Sequence, residues 1–302
     1  MVASLPHLFH EFMLLQTLLG GFVQGCIYSL IALGFVLIYR ATRQINFAQG
    51  DLLMLGAYLG MQLQLWGVSW SVALLLSLLL LFLYGSLLQL GILSSLPRES
   101  RISVILMTLG LGFVLRSLAT MIWGPAPLFF PSPYEQQLFT WQALVISGAQ
   151  LGVLIGSLIA WLAVWCLLYR SRIGLGLRAL AQDYWMAQAS GVSCKRMEAL
   201  VWGLSATLAA LGGILLAPLS LVHSELGWLS IKAFAAAVLF GFGNVTGAVF
   251  GGLLLGITEQ LSAAWFPDIS RDLVSYLILL FWLWLRGSNR IGSAAIVFSG
   301  KS

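Results

Sequence analysis

The chain has 302 residues, of which 60% are hydrophobic and only 8% charged, with a net charge of +5. A soluble chain carries about 25% charged residues, and no soluble core of this length hides so much apolar surface, so the composition excludes a water-soluble enzyme and makes lipid the solvent. The positive charge does not build a nucleic-acid surface, because Lys and Arg sit in short stretches between apolar runs, as the positive-inside rule places them.

Taken in chain order, the N-terminal stretch MVASLPHLFHEF has no Lys or Arg ahead of the first apolar run. It lacks the basic region of a cleaved signal, so the first span is predicted to be retained. Spans are predicted near 15–39, 46–66, 70–93, 102–122, 146–169, 197–217, 231–242, 246–265 and 272–286. This is an all-α polytopic membrane protein, a bundle of eight or nine transmembrane helices forming a single domain over residues 1–302. All but Arg116, Lys232 and Arg271 of the 15 Lys and Arg residues fall on one side of that bundle. They are Arg40, Arg43, Arg98, Arg101, Arg170, Arg172, Arg178, Lys195, Arg196, Arg286, Arg290 and Lys301, and they mark that side as cytoplasmic. The N-terminus is then external and the C-terminus internal.

Just after Arg40 and Arg43, QINFAQGDLLMLGAY (44–58) places Asn46, Gln49 and Asp51 at the start of an apolar run. Two readings stand. In one, Asp51 occupies the first turn of a helix and caps it, while Asn46 and Gln49 satisfy backbone groups at the membrane edge. In the other, Gly50 breaks the helix and the polar residues line the inner part of a solute path. Counted from Arg43 along a helix, Asp51 lies ~12 Å deep. Arg116 lies ~21 Å from Ile102 by the same rise, in the outer half of its span, where snorkelling, pairing or lining a path are all open.

The predicted external loop 123–142 has four Pro and no basic residue, which suits a rigid segment on the outer interface. The loop 170–196, RSRIGLGLRALAQDYWMAQASGVSCKR, is the one long polar segment on the basic side. Gly174 and Gly176 are expected to break the preceding span, and LRALAQDYWMAQAS to form one helix of about three turns, closed by Gly191. It either anchors the loop at the interface or presents a small-residue face (Ala179, Ala181, Ala187, Ala189, Gly191) with Tyr184 and Trp185 as anchors for a partner.

Beyond it, the run 231–242 is too short to cross alone, and the Gly-rich LFGFGNVTG (239–247) follows, so this piece is predicted as a short tilted span or a re-entrant half-helix. Glu259 and Glu225 are open to structural pairing, path lining or contact with a delivery protein. Lys232 and Arg271 are open to pairing with Glu225, Asp268 or Asp272, or to contact with an acidic docking lobe of a partner. Glycines four apart (Gly21/Gly25, Gly56/Gly60, Gly247/Gly251, Gly252/Gly256) let helix backbones approach closely, within the bundle or at a partner seam.

Several chemistries have no support. Cys26, Cys166 and Cys194 are odd in number without metal spacing, and His7, His10 and His223 are scattered. SGKS (299–302) is not a phosphate loop, because Ala295 stands where that motif needs Gly. No catalytic constellation appears. A secondary transporter or channel needs ionisable residues near the membrane centre, and only Asp51, Arg116 and Glu259 qualify.

The stretches GCIYSLIALGFVLIY (25–39), INFAQGDLLMLGAY (45–58), RALAQDYWMAQASGVS (178–193) and LSIKAFAAAVLFGFGNVTGAVFGGLLLGITE (229–259) resemble the permease subunits of branched-chain amino acid ABC importers, of the LivH type. The family usually has His where Gln49 stands and often Glu where Asp51 stands, and its C-terminal motif survives only as RGSNRIG (286–292). The resemblance implies a subunit that moves a branched-chain or related amino acid, urea or a short amide through a bacterial inner membrane. It implies a homologous LivM-type second permease, two cytoplasmic ABC ATPases and a periplasmic solute-binding protein as partners. ATP and Mg would be held by the ATPases, with no cofactor in this chain. Arg178, Ala179, Asp183, Ala187 and Gly191 would form the coupling segment, and Asn46, Gln49, Asp51 and Glu259 are the path candidates.

Overall fold

The computed structural model describes residues 5–96, 101–132, 137–141, 144–265, 273, 275–282 and 284. Arg98, Asp268, Arg271, Asp272, Arg286, Arg290, Lys301 and the 299–302 tail lie outside them. Among the described residues the named elements are α1 (Leu5–Thr42), α2 (Gln49–Leu65), α3 (Trp70–Gly91), α4 (Arg101–Trp123), β1 (Leu138–Trp141), β2 (Leu144–Ser147), α5 (Gly148–Arg170), α6 (Arg172–Gln182), α7 (Tyr184–Ala189), α8 (Cys194–Leu216), α9 (Leu229–Leu239) and α10 (Val245–Trp265). Among the described residues six helical stretches are long and apolar enough to cross a membrane: Met13–Thr42, Trp70–Ser95, Ile102–Trp123, Gly148–Arg170, Cys194–Leu219 and Val245–Trp265. The span predicted at 272–286 is helical at 275–282.

Local chemistry sets the ends. Helix α1 closes at Arg43, which takes the left-handed conformation (φ 58°) and donates its N–H to the Tyr39 carbonyl. Helix α5 starts in a capping box, with the Ser147 hydroxyl accepting from Gln150 N and the Gln150 side chain accepting from Ser147 N. The hairpin ahead of it was not anticipated. Its two four-residue strands pair antiparallel, Leu138 opposite Ser147, and Leu128 bridges to Val222 across the same end of the bundle.

The 170–196 segment departs from expectation. The break after α5 falls at Ser171, whose hydroxyl accepts from Gly174 N and caps α6, so Gly174 and Gly176 lie inside a helix. A Cβ on Gly174 would meet the carbonyls of Leu167 and Leu168, so its bare backbone is what lets α6 fold tightly off the end of α5. The single helix expected after Arg178 is two helices. Asp183 is extended (φ −152°, ψ 121°) and its carboxylate accepts from Met186 N, an N-cap geometry that outcompetes continuation of α6.

Packing divides the helices into centre and rim. The most apolar window of α1 is 89% buried and that of α8 is 78% buried, whereas those of α3, α4 and α5 are 28% buried. Rim residues such as Leu75, Leu79, Leu106, Phe113, Leu158 and Ile159 are exposed apolar surface, as expected of a lipid-facing layer. The glycine pairs form seams inside the chain. Backbone of α1 and α10 meshes where a Cβ on Gly25 would meet Leu253 and one on Gly256 would meet Gly25 itself, and Gly56 of α2 faces Ala210 of α8.

Candidate functional site

Between α1 and α2 the chain unwinds, and the polar residues of that stretch hold the unwound backbone. Asn46 Oδ1 accepts from Ala48 N at 3.0 Å, and Asn46 Nδ2 donates to Gln49 Oε1 at 3.3 Å. Gln49 reaches α8, donating to the Ser205 carbonyl at 3.1 Å and accepting from the Ser205 hydroxyl at 3.0 Å. Phe47 N donates to Thr108 Oγ1 of α4 at 3.2 Å. All of these groups are buried or half-buried, so each bond removes a backbone or amide group that would otherwise stand unpaired. No side chain caps α2, whose N-cap residue is Ala48.

Asp51 turns instead toward α4. Its Oδ1 accepts from Arg116 Nη2 at 3.0 Å and from Nε at 3.2 Å. The Arg116 guanidinium also sits over the Trp228 ring, 5.0 Å from its centre. Arg116 is fifteen residues along α4, or ~22 Å from Arg101 by helical rise. Asp51 therefore lies beside the Gly112–Arg116 stretch of α4, and the unwound 43–48 stretch passes Thr108 of α4 before α2 begins. Arg116 does not snorkel free; it pairs.

Two chain segments close on this pair through glycine. A Cβ on Gly112 would strike the Asp51 carboxylate, and one on Gly227 would come within 3.1 Å of Asp51 Oδ1 and 3.2 Å of Arg116 Nη2. Residues 224–228 make a tight turn after the Leu128–Val222 bridge and bring Gly227 against Gly50, and α9 departs from there. The result is a cavity of about 340 Å³ lined by α4 (Leu109, Phe113, Arg116), by Phe47 and Asp51, by Phe35, and by one face of the 227–234 segment. Phe113, Trp228 and Ile231 are exposed, so the cavity opens sideways on the bundle surface.

A second ion pair lies on the other side of α9. Lys232 Nζ meets Glu259 Oε1 at 2.6 Å. Glu259 Oε2 accepts from the Tyr28 hydroxyl at 2.7 Å and from Ser275 Oγ at 3.4 Å. Lys232 thus pairs with Glu259, while Glu225 is exposed; Asp268 and Asp272, also considered for it, lie outside the described residues. Glu259 is held among α1, α9 and α10 and does not line the Asp51 cavity.

Of the coupling candidates, Arg178 lies 6.0 Å from the Tyr169 ring centre, Ala179 is half-buried, and Asp183 is exposed and caps α7. Ala187 is buried against Leu180 and Cys194, so it is not part of a presented face. Gly191 has φ 83° and no neighbour within 4 Å of a Cβ position. Trp185 and Met186 are exposed apolar groups on α7, as Ile173 and Leu175 are on α6. Sequence reasoning missed Trp228, Phe113 and Phe234 as cavity lining and Tyr28 as a partner of Glu259. Leu109, Phe113 and Arg116 do share the i, i+4, i+7 spacing of one helix face, which was the signal available.

A family described as "Branched-chain amino acid transport system / permease component" matches residues 17–283. The chain is 28% identical to the high-affinity branched-chain amino acid transport system permease protein LivH of Salmonella typhimurium, over 92% of this chain and 95% of that one. It is 28% identical to BraD of Pseudomonas aeruginosa over 95% of this chain and 98% of that one, and 26% identical to the ribose import permease RbsC of Escherichia coli over 86% and 82%. Among solved structures, PsaBC from Streptococcus pneumoniae in complex with Fab aligns over 94% of this chain and 95% of that chain, with TM-score 0.48 and 14% identity. With several apolar helices and a family match across nearly its whole length, the chain is a multi-pass membrane protein belonging to the branched-chain amino acid transport system permease component family.

Proposed function

We propose that the chain is the membrane-spanning subunit of an ATP-driven importer that brings branched-chain or related amino acids across a bacterial inner membrane, with its N-terminus outside and its C-terminus in the cytoplasm. The family match over residues 17–283 carries this reading. The subunit pairs with a second, LivM-type permease, and the sideways-opening cavity between α4 and α9 supports a path along their seam. Helix α2 begins part way through the bilayer and α9 is a half-helix of ~17 Å; together with the six long stretches and the 275–282 segment they make up the eight or nine apolar passes. Asn46 and Gln49 hold the unwound backbone at the inner side of the path, and Asp51 lines it.

The α6–α7 hairpin couples the subunit to two ATPases, which bind ATP and Mg, and a periplasmic binding protein delivers solute. Its support is the pair of exposed side chains Trp185 and Met186 at the end of the bundle that carries Arg43, whose Nη2 donates to the Ala181 carbonyl at 3.4 Å. Arg178, Ala179, Ala187 and Gly191 shape the hairpin, and Asp183 sets its corner. Rocking of the hairpins as the ATPases close would alternate access.

Proteoliposomes holding the permeases and ATPases test the reading. Accumulation of radiolabelled leucine or valine is expected only with ATP on the ATPase side and binding protein on the other. Uptake without any ATPase subunit would make the chain a secondary transporter. Within this assay Gly191→Val, which forces a β-branched residue to φ 83°, should lose ATPase copurification or coupling while inserting normally; wild-type uptake by that variant removes the coupling assignment.

A further inference from the structure

The Asp51–Arg116 pair is built unlike a purely structural ion pair. Both of its bonds converge on Asp51 Oδ1, from Arg116 Nε and Nη2. Arg116 Nη1 and Asp51 Oδ2 take no part, so the two-oxygen fork that gives arginine–carboxylate pairs their strength is not formed. Asp51 is buried, yet Arg116 keeps 24% of its side-chain surface. Among the described residues the pair is the charged part of the cavity wall; apart from Gly227 and the Ser230 hydroxyl, which donates to the Gly227 carbonyl, the rest is aromatic and aliphatic, with Phe47, Phe113, Trp228, Ile231 and Phe234 prominent.

A ligand entering here meets one cation and one anion side by side against an apolar wall. A ligand with a single charge would satisfy one partner and strand the other, which is strongly unfavourable in a buried site. An uncharged amide would leave the internal pair shut and gain little from it. A zwitterion satisfies both, exchanging one internal pair for two pairs with itself. The volume, about 340 Å³, is at the lower end of the ~300–1,000 Å³ usual for ligand pockets, so it suits one small amino acid rather than a peptide. Trp228, stacked on the guanidinium at 5.0 Å, keeps Arg116 in place when Asp51 turns to the ligand.

We infer that this cavity is a binding site for a zwitterionic, aliphatic amino acid, with Arg116 taking its carboxylate, Asp51 its ammonium, and the aromatic wall its side chain. The inference rests on the amino-acid reading above and gives it a location in this chain.

Tritiated leucine binding to the permease–ATPase complex in nanodiscs, without binding protein, is the test. Leucinamide, which lacks the carboxylate, and 4-methylpentanoate, which lacks the ammonium, should each displace leucine at least tenfold less well than leucine itself. Equal displacement by either overturns the site. The double variant Asp51→Leu with Arg116→Met leaves no unpaired charge, so it should still copurify with its partners while binding leucine at least tenfold more weakly. Arg116→Lys should recover part of that loss. Unchanged binding by the double variant, or no saturable binding by a wild-type complex that is active in uptake, also overturns the site. Those failures leave the importer standing if wild-type proteoliposomes still accumulate leucine; absence of any amino-acid uptake there fails the broader reading instead.

Discussion

The two ion pairs differ in how completely the fold encloses them. Lys232–Glu259 is sealed: Tyr28 and Ser275 complete the carboxylate, and both side chains keep 12% or less of their surface. Asp51–Arg116 borders a cavity, uses one carboxylate oxygen, and leaves the guanidinium partly open. A charge pair fully supplied with hydrogen bonds resists rearrangement, because any opening strands a charge in a low-dielectric interior. A pair with unused donors and an adjacent void can trade partners. One therefore fastens helices, and the other, on the reading proposed above, is available to solute.

The contrast can be broken experimentally. The largest effect is expected from Lys232→Met, which strands Glu259 and should destabilise the protein by about 3–5 kcal/mol. It would appear as a lowered unfolding midpoint in detergent, and adding Glu259→Leu should restore most of the loss. If the double variant is no better than the single, the pair is not what fastens α9 to α10.

Next comes Gly256→Val, which places a branched side chain on the Gly25 backbone and should cost about 1–3 kcal/mol or more by overpacking. Its signature is loss of folded monomer in size-exclusion chromatography; a normal profile would mean the α1–α10 seam has slack that the packing denies.

Asp51→Asn should cost about 1–3 kcal/mol, since Arg116 keeps its Trp228 contact and some solvent. Yet uptake in vesicles should fall at least tenfold at equal subunit abundance by immunoblot. Equal damage to stability from Asp51→Asn and Lys232→Met would erase the distinction between the pairs. The smallest effect belongs to Tyr28→Phe, which removes one hydrogen bond to Glu259 and should cost about 1 kcal/mol with uptake preserved. Strong loss of transport in that variant would place Glu259 on the solute path after all.

Much of this architecture was legible from residues alone. The apolar run 70–93 is α3 (Trp70–Gly91), and the short run 231–242 is the 11-residue α9. Apolar length is a property of contiguous residues, so it survives without any knowledge of neighbours. Pairing is different. Asp51 and Arg116 are 65 residues apart, and whether they meet depends on where α2 starts and how α4 is rotated. The rise of the 43–48 stretch, which sets that start, is itself fixed by contacts with Thr108 and Ser205 from other helices. At 183, by contrast, the Asp-led cap was readable locally, but strong helix formers on both sides concealed it.

The contact between Gly50 and Gly227 has a mechanical meaning. A Cβ on Gly50 would strike the Gly227 carbonyl and crowd the Ser230 hydroxyl, so the start of α2 and the turn into α9 touch backbone to backbone. Side chains normally act as compliant padding between elements; here there is none, and tightly packed peptide planes compress very little. A displacement of α2 is then expected to reach α9 directly, and the Lys232–Glu259 pair joins α9 to α10. Glycine at these positions thus acts as a stiffener, joining the start of α2 to the turn into α9 so closely that neither can shift far without the other.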